Sequence, residues 1–206
     1  MSDDNGCALC AAGEPARRGV RPMLAEPKLS GHPLRRVLRG TTGSIVDATA
    51  GFGADTAVCA GLGRSVLAIE RSDVLYALLH DALSRLESDD LRERISLAHA
   101  DACTLLRTLP QSFSKPSVVL LDPMYPARRH ASALPPKPMQ LLRLLHGEQD
   151  DDGALLSELF GAACAAAPQR IAVKRPPEAA PPTNAGTPTF SIQTRLVRWD
   201  VWERSS

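Results

Sequence analysis

The sequence predicts an α/β fold in which helices cover both faces of a mostly parallel sheet, with an antiparallel C-terminal strand. Of the 206 residues, 44% are hydrophobic but only 4% are aromatic, a balance more typical of helices packed on a buried sheet than of an all-β sandwich. From Ser44 onward, short apolar runs alternate with helical segments, which implies right-handed crossovers between parallel strands. The length suits one compact domain rather than two.

The first part of the chain lacks this alternation. Residues 1–32 mix Gly, Pro, Arg and acids without periodicity, so we expect a flexible or loosely docked N-terminal arm before a domain that spans residues 33–206. Leu34, Val37 and Leu38 then have the i, i+3, i+4 spacing of a short amphipathic helix, whose remaining surface is basic.

Capping residues mark the ends of helices in the first half of this pattern of alternating strands and helices. Gly63 predicts the end of one helix, and Asp73 is the predicted N-cap of the next. In order, we expect a strand at 44–48, a small-residue turn at 49–53, a helix over about 54–62, a strand at 65–69, a helix over about 73–86 and a strand at 95–98.

Prolines and acids bound the elements in the second half. The run at 117–121 is the most strand-like in the chain, and Pro123 and Pro126 end it because neither can donate to a sheet. The acids at 150–152 favour the amino end of a helix. We expect next a Pro-rich loop over 127–138, a short helix to about 145, a helix through 166, a strand at 170–174, a Pro-rich loop over 175–188, and within 190–202 either one strand or two strands that can pair as a hairpin.

Composition excludes several classes of protein. No apolar stretch reaches the roughly 18 residues of a membrane-spanning helix, so we expect no membrane association. The 24 basic and 23 acidic residues leave a net charge of +1, so any nucleic acid must be bound by a local patch. An odd number of scattered cysteines and an N-terminus without signal-peptide features predict a cytoplasmic protein. Cys7 and Cys10 lack a second Cys or His pair, so we expect no metal.

Polar residues of interest follow the predicted strands at their carboxyl ends, where open α/β sheets bind ligands. Gly51 and Gly53 allow close backbone approach, but a dinucleotide motif would need a third glycine where this chain has Thr56. Asp47 discourages a pyrophosphate and suits a ligand with a cationic amino-acid end.

Two further acids suit the nucleoside part of such a ligand. Glu70 lies 19 positions after Gly51 and can accept hydrogen bonds from both ribose hydroxyls. Asp101 either accepts a hydrogen bond from the amino group of adenine or is a surface or capping acid. S-adenosylmethionine (SAM) combines a cationic amino-acid end with an adenosine, so it is the predicted cofactor.

The Asp-Pro-Met-Tyr sequence at 122–125 resembles the D/N-P-P-Y/F motif of methyltransferases that modify exocyclic amines of flipped bases. An aryl amine is a poor nucleophile because its lone pair is delocalised. The Asp122 carboxylate and the Pro123 carbonyl would hold its hydrogens and localise that pair. Tyr125 would stack on the base, or else pack in the core beside the turn.

A basic loop follows this motif. No acid occurs over residues 123–145, so the loop suits a phosphate backbone. Lys174 and Arg175, at the end of a further strand, either extend the patch or are ordinary surface charges. The basic residues of the loop region are Arg128, Arg129, Lys137 and Arg143.

Together these motifs resemble the RsmJ-type family of small-subunit rRNA guanine-N2 methyltransferases. The resemblance spans about residues 33–182 and implies a Rossmann-like class I methyltransferase fold. Family members usually carry a longer N-terminal region with its own motif. The matching segments are DATAGFG at 47–53 with Asp55, IER at 69–71, HA before Asp101, LDPMYP at 121–126 and VKRP at 173–176.

The resemblance also implies an activity and a set of contacts. The activity is methylation of the N2 amine of a guanosine near the 3′ end of 16S rRNA, either naked or within the 30S subunit. Three alternatives stay open: a SAM-dependent methyltransferase for another base amine (adenine N6, or tRNA or DNA), a non-catalytic rRNA-binding assembly factor, and a nicotinamide-dependent oxidoreductase, which the missing third glycine disfavours. The implied SAM contacts are Ala54, Asp55, Glu70, Arg71, Asp101, Ala102 and Asp122.

Overall fold

A computed structural model describes residues 2–3, 6–125, 136–146 and 153–204, and within these ranges seven strands form one sheet. A short antiparallel pair, β1 (Ser2–Asp3) and β2 (Gly6–Cys7), precedes it. The strands of the sheet are β3 (Ile45–Asp47), β4 (Val66–Glu70), β5 (Ile95–His99), β6 (Val118–Leu121), β7 (Arg170–Arg175), β8 (Phe190–Gln193) and β9 (Arg198–Glu203).

The strand order is β5-β4-β3-β6-β7-β9-β8, parallel from β5 to β7 and antiparallel beyond it. Val46 on the central strand pairs with Leu67 on one side and Val119 on the other. The predicted α/β fold class is confirmed. The C-terminal residues form two antiparallel strands, and the last strand in sequence, β9, lies inside the sheet rather than at its edge.

Helices occupy the crossovers between the parallel strands. The structure adds two short helices, α4 and α5, that the sequence did not predict, and the N-cap of α3 is Ser72 rather than Asp73, because the Ser72 hydroxyl accepts a hydrogen bond from the Leu75 amide at 3.4 Å. The helices are α1 (Leu34–Val37), α2 (Ala54–Gly61), α3 (Asp73–Ser84), α4 (Asp89–Arg94), α5 (Ala102–Leu105), α6 (Lys137–His146) and α7 (Ala154–Ala165).

The core has two layers, one on each face of the sheet. Successive side chains of a strand point to opposite faces, so Ile45 packs in the layer that contains Leu34 of α1, and Val46 packs in the layer that contains Phe160 of α7. The central strands are buried on both faces, which is why they read as continuous apolar runs.

The N-terminal segment, predicted to be a flexible or loosely docked arm over residues 1–32, makes specific contacts with the domain. From Gly6 onward it packs on the domain, and Leu24 is buried in the core. The Cys7 amide donates to the Asp81 carboxylate at 2.9 Å, and the Met23 amide donates to the Phe52 carbonyl at 2.6 Å. Individual contacts of this kind produce no periodic pattern in the sequence.

Within the described residues, none of the helices combines the length and apolar composition that crossing a bilayer requires.

Candidate active site

A cavity of about 220 Å³ lies at the carboxyl ends of β3, β4, β5 and β6. Parallel strands present these ends at one edge of the sheet, so residues far apart in sequence meet there. Of the predicted cofactor-binding residues, those that line the cavity are Asp47, Gly51, Ala54, Asp55, Glu70, Arg71, Asp101, Ala102 and Asp122.

Gly53 is the predicted cofactor residue that does not line the cavity. It precedes α2 with a φ of 79°, in the left-handed region that favours glycine. A Cβ atom there would lie 2.8 Å from Leu24 and 2.9 Å from Leu79. Backbone conformation and close packing therefore explain Gly53 without any ligand contact.

Asp47 is a buried carboxylate at the end of the central strand. It accepts hydrogen bonds from the Thr56 hydroxyl at 2.6 Å and from the Thr49 amide at 3.3 Å. Burial raises the pKa of Asp47 to about 7, and the charges of Asp55 and Asp122 add to that effect. The carboxylate form is therefore favoured by any cation that enters the cavity.

Glu70 joins two loops at the end of β4. One carboxylate oxygen accepts from the Gly51 amide at 2.9 Å, and the other accepts from the Ser72 amide at 2.8 Å. Each oxygen keeps a lone pair that a ribose hydroxyl can use. The predicted ribose role is therefore compatible with the contacts that Glu70 makes within the protein.

Asp101 is a capping acid that also lines the cavity, and its contact with adenine stays a prediction. It is the N-cap of α5, because its carboxylate accepts from the Thr104 amide at 2.9 Å, and it lines the cavity. Its second carboxylate oxygen makes no hydrogen bond within the described residues.

Lys174 is placed differently from the sequence prediction. The ammonium lies 2.8 Å from an Asp55 oxygen and 2.9 Å from an Asp122 oxygen, and it also faces the Trp199 ring at 5.5 Å. Its side chain is only 23% exposed. This lysine therefore lies inside the site between two carboxylates rather than on the open surface, and its contact with RNA phosphates stays a prediction.

The charges of this cluster act on one another. Burial alone would lower the pKa of Lys174, but the charges of Asp122 and Asp55 outweigh it and raise that pKa above its ordinary value. Burial raises the pKa of Asp122; the charge of Lys174 opposes this rise and the charge of Asp55 adds to it. Lys174 thus favours the ionised form of Asp122.

The structure also places Arg175 differently from the sequence prediction, in the interior rather than on the surface. It is 5% exposed, and its guanidinium donates to the fully buried Asp200 carboxylate at 2.5 Å. Ser191 and Arg198 donate to the other oxygen of Asp200. Arg175 therefore holds β7 to the C-terminal strands and is buried rather than part of the open surface, and its contact with RNA stays a prediction.

The residues of the predicted base pocket lie at the end of β6. The Asp122 amide donates to the Thr49 hydroxyl at 2.6 Å, which ties this loop to the loop after β3. Pro123 is buried and lines the cavity. Tyr125 is half-buried against the core layer of α7, and its hydroxyl has no hydrogen-bond partner among the described residues. Tyr125 is not among the described residues that line the cavity. Burial and the charge of Asp122 raise the pKa of the Tyr125 hydroxyl, so this hydroxyl stays protonated and can donate a hydrogen bond.

The predicted basic loop is described only in part. Arg128 and Arg129 lie outside the described residues. Lys137 is paired with Glu14 at 2.8 Å and donates to the Arg18 carbonyl at 2.6 Å, so it connects α6 to the N-terminal segment.

Comparison with known proteins identifies the family of this site. The family model described as "Putative SAM-dependent methyltransferase" matches residues 33–204. A ribosomal RNA small subunit methyltransferase J from Rhodopseudomonas palustris is 40% identical over 165 residues, which cover 78% of this chain and 76% of that protein. The chain belongs to this family of SAM-dependent methyltransferases.

Other members of the methyltransferase family are longer than this chain. The methyltransferase J of Chromohalobacter salexigens is 42% identical over 173 residues, which cover 82% of this chain and 65% of that protein. The chain therefore spans about two thirds of the length of such relatives. A SAM-dependent methyltransferase structure from Neisseria gonorrhoeae matches with a TM-score of 0.60 and 29% identity, covering 78% of this chain and 61% of that one. The class I methyltransferase fold implied by the resemblance is confirmed.

Sequence reasoning missed two features of this methyltransferase site. The DATAG segment was recognised, yet the link from its Thr49 hydroxyl to the Asp122 amide was not. The apolar side of the cavity was also missed, because its residues lie on helices far from the motifs. These residues are Met139, Leu142, Leu155 and Leu159.

Proposed function

We propose that this chain transfers a methyl group from SAM to the N2 amine of a guanosine near the 3′ end of 16S rRNA. The substrate is the rRNA or the small ribosomal subunit, and the reaction takes place in the cytoplasm. The single observation that carries the proposal is the position of Asp122 at the end of β6, on the cavity wall, with one carboxylate oxygen held by Lys174. The relatives named ribosomal RNA small subunit methyltransferase J support the choice of polymer.

The charges of the cavity fit SAM. Among the described lining residues, five acids, including Asp47, Asp55 and Asp122, stand against two bases, Arg71 and Lys174, so the site favours a ligand that carries positive charge. When bound, SAM supplies a methyl group on a positively charged sulfur. The remaining acids suit the nucleoside, with Glu70 toward the ribose hydroxyls and Asp101 toward the adenine amine.

Asp122 is the proposed catalytic acceptor. The oxygen that Lys174 leaves free would accept a hydrogen bond from the guanine N2 amine, and the Pro123 carbonyl would accept a second. Holding both hydrogens directs the nitrogen lone pair toward the methyl group. The nitrogen then forms its bond to carbon, the carbon–sulfur electron pair stays on sulfur, and the nitrogen releases one proton to Asp122 or to water.

Tyr125 completes the proposed pocket through its ring. A flipped guanine needs a stacking surface to replace its neighbours in the RNA.

The test is methylation of small subunits purified from cells that lack this modification. With labelled SAM, we expect N2-methylguanosine by nucleoside mass spectrometry. Asp122→Ala should lower kcat about 100-fold or more, whereas Asp89→Ala, which removes an exposed acid on α4, should change it less than about twofold.

Three results would count against the proposal. N6-methyladenosine as the product would move the target to another base. An unchanged rate in Asp122→Ala would remove Asp122 from the reaction. Retained RNA binding without any methyl transfer by the wild type would favour an assembly factor.

A further inference from the structure

The turn between β8 and β9 lies at the same edge of the sheet as the active site. β9 runs antiparallel to β7, with Trp199 paired to Lys174 and Arg198 paired to Arg175. Since Arg175 is the last residue of β7, the residues that precede Arg198 extend beyond the carboxyl end of that strand. The turn at 194–197 therefore projects past the edge of the sheet that holds the candidate active site.

The turn is held in one conformation by Thr194. Its amide donates to the Val197 carbonyl at 2.8 Å, and its hydroxyl accepts from the Val197 amide at 3.1 Å. Arg195 and Leu196 are thereby presented at the tip. Leu196 is 71% exposed, and Arg195 is exposed without an ion-pair partner among the described residues.

A second cavity, of about 360 Å³, lies between this turn and the start of α1. His32 and Pro33 form one side, and Arg195 and Leu196 form part of the other. Asp55 and Lys174 line both this cavity and the 220 Å³ cavity of the candidate active site. The space under the turn therefore reaches the charged cluster at the reaction site.

Apart from Asp55, which is paired with Lys174, the chain segments that border this second cavity carry only positive charge. No acid occurs over residues 27–46, which include α1, or over residues 179–199, which include the turn. Arg35 and Arg36 on α1 are exposed. A phosphate backbone is the polymer that such a surface attracts.

We propose that the β8–β9 turn binds the RNA strand that carries the target base. Arg195 contacts a phosphate of that strand, and Leu196 packs against the base next to the extruded guanosine. Extrusion leaves this neighbour with an uncovered face, and an exposed leucine on a fixed turn can cover it. This inference rests on the proposed function, because it assigns the RNA-contact site of the same reaction.

The test compares Arg195→Glu with Arg204→Glu, since both make the same change in net charge. Arg204 is exposed and follows the other end of β9, at the opposite edge of the sheet. With small subunits that lack the modification, we expect Arg195→Glu to raise KM about tenfold and to lower the dependence of KM on salt. Arg204→Glu should change KM less than about twofold. Leu196→Ala should lower kcat/KM about fivefold, and all three variants should bind S-adenosylhomocysteine as the wild type does.

RNA binding is measured separately from methylation, with a labelled fragment of the 3′ end of 16S rRNA. Equal effects of Arg195→Glu and Arg204→Glu on both readouts would overturn the assignment of the turn. A wild type whose RNA binding depends on Arg195, but which forms no N2-methylguanosine, would contradict the proposed function and leave the RNA-contact site standing. A wild type that binds neither the fragment nor the small subunit would contradict both.

Discussion

Lys174 offers the sharpest test of the site, because its ammonium contacts the carboxylate of Asp122, the proposed catalytic acceptor. Lys174→Met removes the charge and keeps much of the side-chain volume. Asp122 then faces Asp55 and Asp47 without a cation, and Tyr125 is its remaining neighbour that can ionise. The free Asp122 oxygen loses its fixed orientation toward the substrate amine.

The size of the effect follows from the contact that is lost. Lys174 lies 2.9 Å from Asp122, and a hydrogen bond between charged groups contributes about 1.5 to 3 kcal/mol. The Asp122 side chain is 38% exposed, so solvent screening favours the lower half of this range. About 1.5 to 2 kcal/mol corresponds to a decrease in kcat of about 10- to 30-fold.

The assay is steady-state methylation of small subunits across pH, with Lys174→Arg as the conservative variant and Lys115→Met as a control at an exposed position. Without Lys174, burial and the neighbouring acids raise the pKa of Asp122 further, so fewer molecules hold the carboxylate at a given pH. The acidic limb of the rate profile should therefore move to higher pH. Lys174→Arg should keep the limb near its wild-type position, and binding of S-adenosylhomocysteine, which lacks the sulfonium charge of SAM, should change less than about threefold.

Two results would refute this reasoning. An unchanged pH profile in Lys174→Met would show that Lys174 does not set the ionisation of Asp122. An equal loss of kcat in Lys174→Met and Lys174→Arg, with thermal stability intact, would show that shape rather than charge is what the reaction needs.

Two further predictions concern stability. Because burial raises the pKa of Asp47 to about 7, the folded chain binds the Asp47 proton more tightly than the unfolded chain does. The free energy that this proton contributes to folding is complete below about pH 4 and is lost as the pH rises through 7. The free energy of unfolding of Asp47→Asn, relative to the wild type, should therefore increase by about 2 kcal/mol between pH 5 and pH 7.5 in denaturant titrations; a constant difference would contradict the pKa. Gly53→Ala should cost about 2 to 3 kcal/mol, because a Cβ would meet Leu24 at 2.8 Å, whereas Gly63→Ala, at a similar φ of 81° in open space, should cost about 1 kcal/mol. Equal losses of thermal stability in the two alanine variants would rule out the packing argument.

The sequence predicted the sheet well because its strands are buried on both faces. The run at 65–69 corresponds to β4 (Val66–Glu70), shifted by one residue. The acids after these strands could be predicted to meet because parallel strands share a carboxyl edge. The short helices α4 and α5 were missed, since four to six residues show too few turns for a periodic pattern.

Lys174 and Arg175, two basic residues at the end of β7, show why some contacts of the site could not be predicted from the sequence. Lys174 and Arg175 are neighbours at a strand end, and in the sequence they look like exposed basic residues. Their partners Asp55, Asp122 and Asp200 are 119, 52 and 25 positions away. The pairing depends on which strands become neighbours and on β9 covering the flank of β7, and neither fact is encoded near the two residues.

The contacts of Glu70 decide what a substitution there would measure. Both of its oxygens accept backbone N–H groups, from Gly51 and Ser72. An amide in this place would turn one acceptor into a donor and set it against an N–H, so glutamine is not a mild replacement for this glutamate. The fold alone thus requires a carboxylate at this position, whether or not a nucleoside binds. A ribose diol therefore meets an acceptor that is already fixed in place, and its binding bears no entropy cost for ordering Glu70.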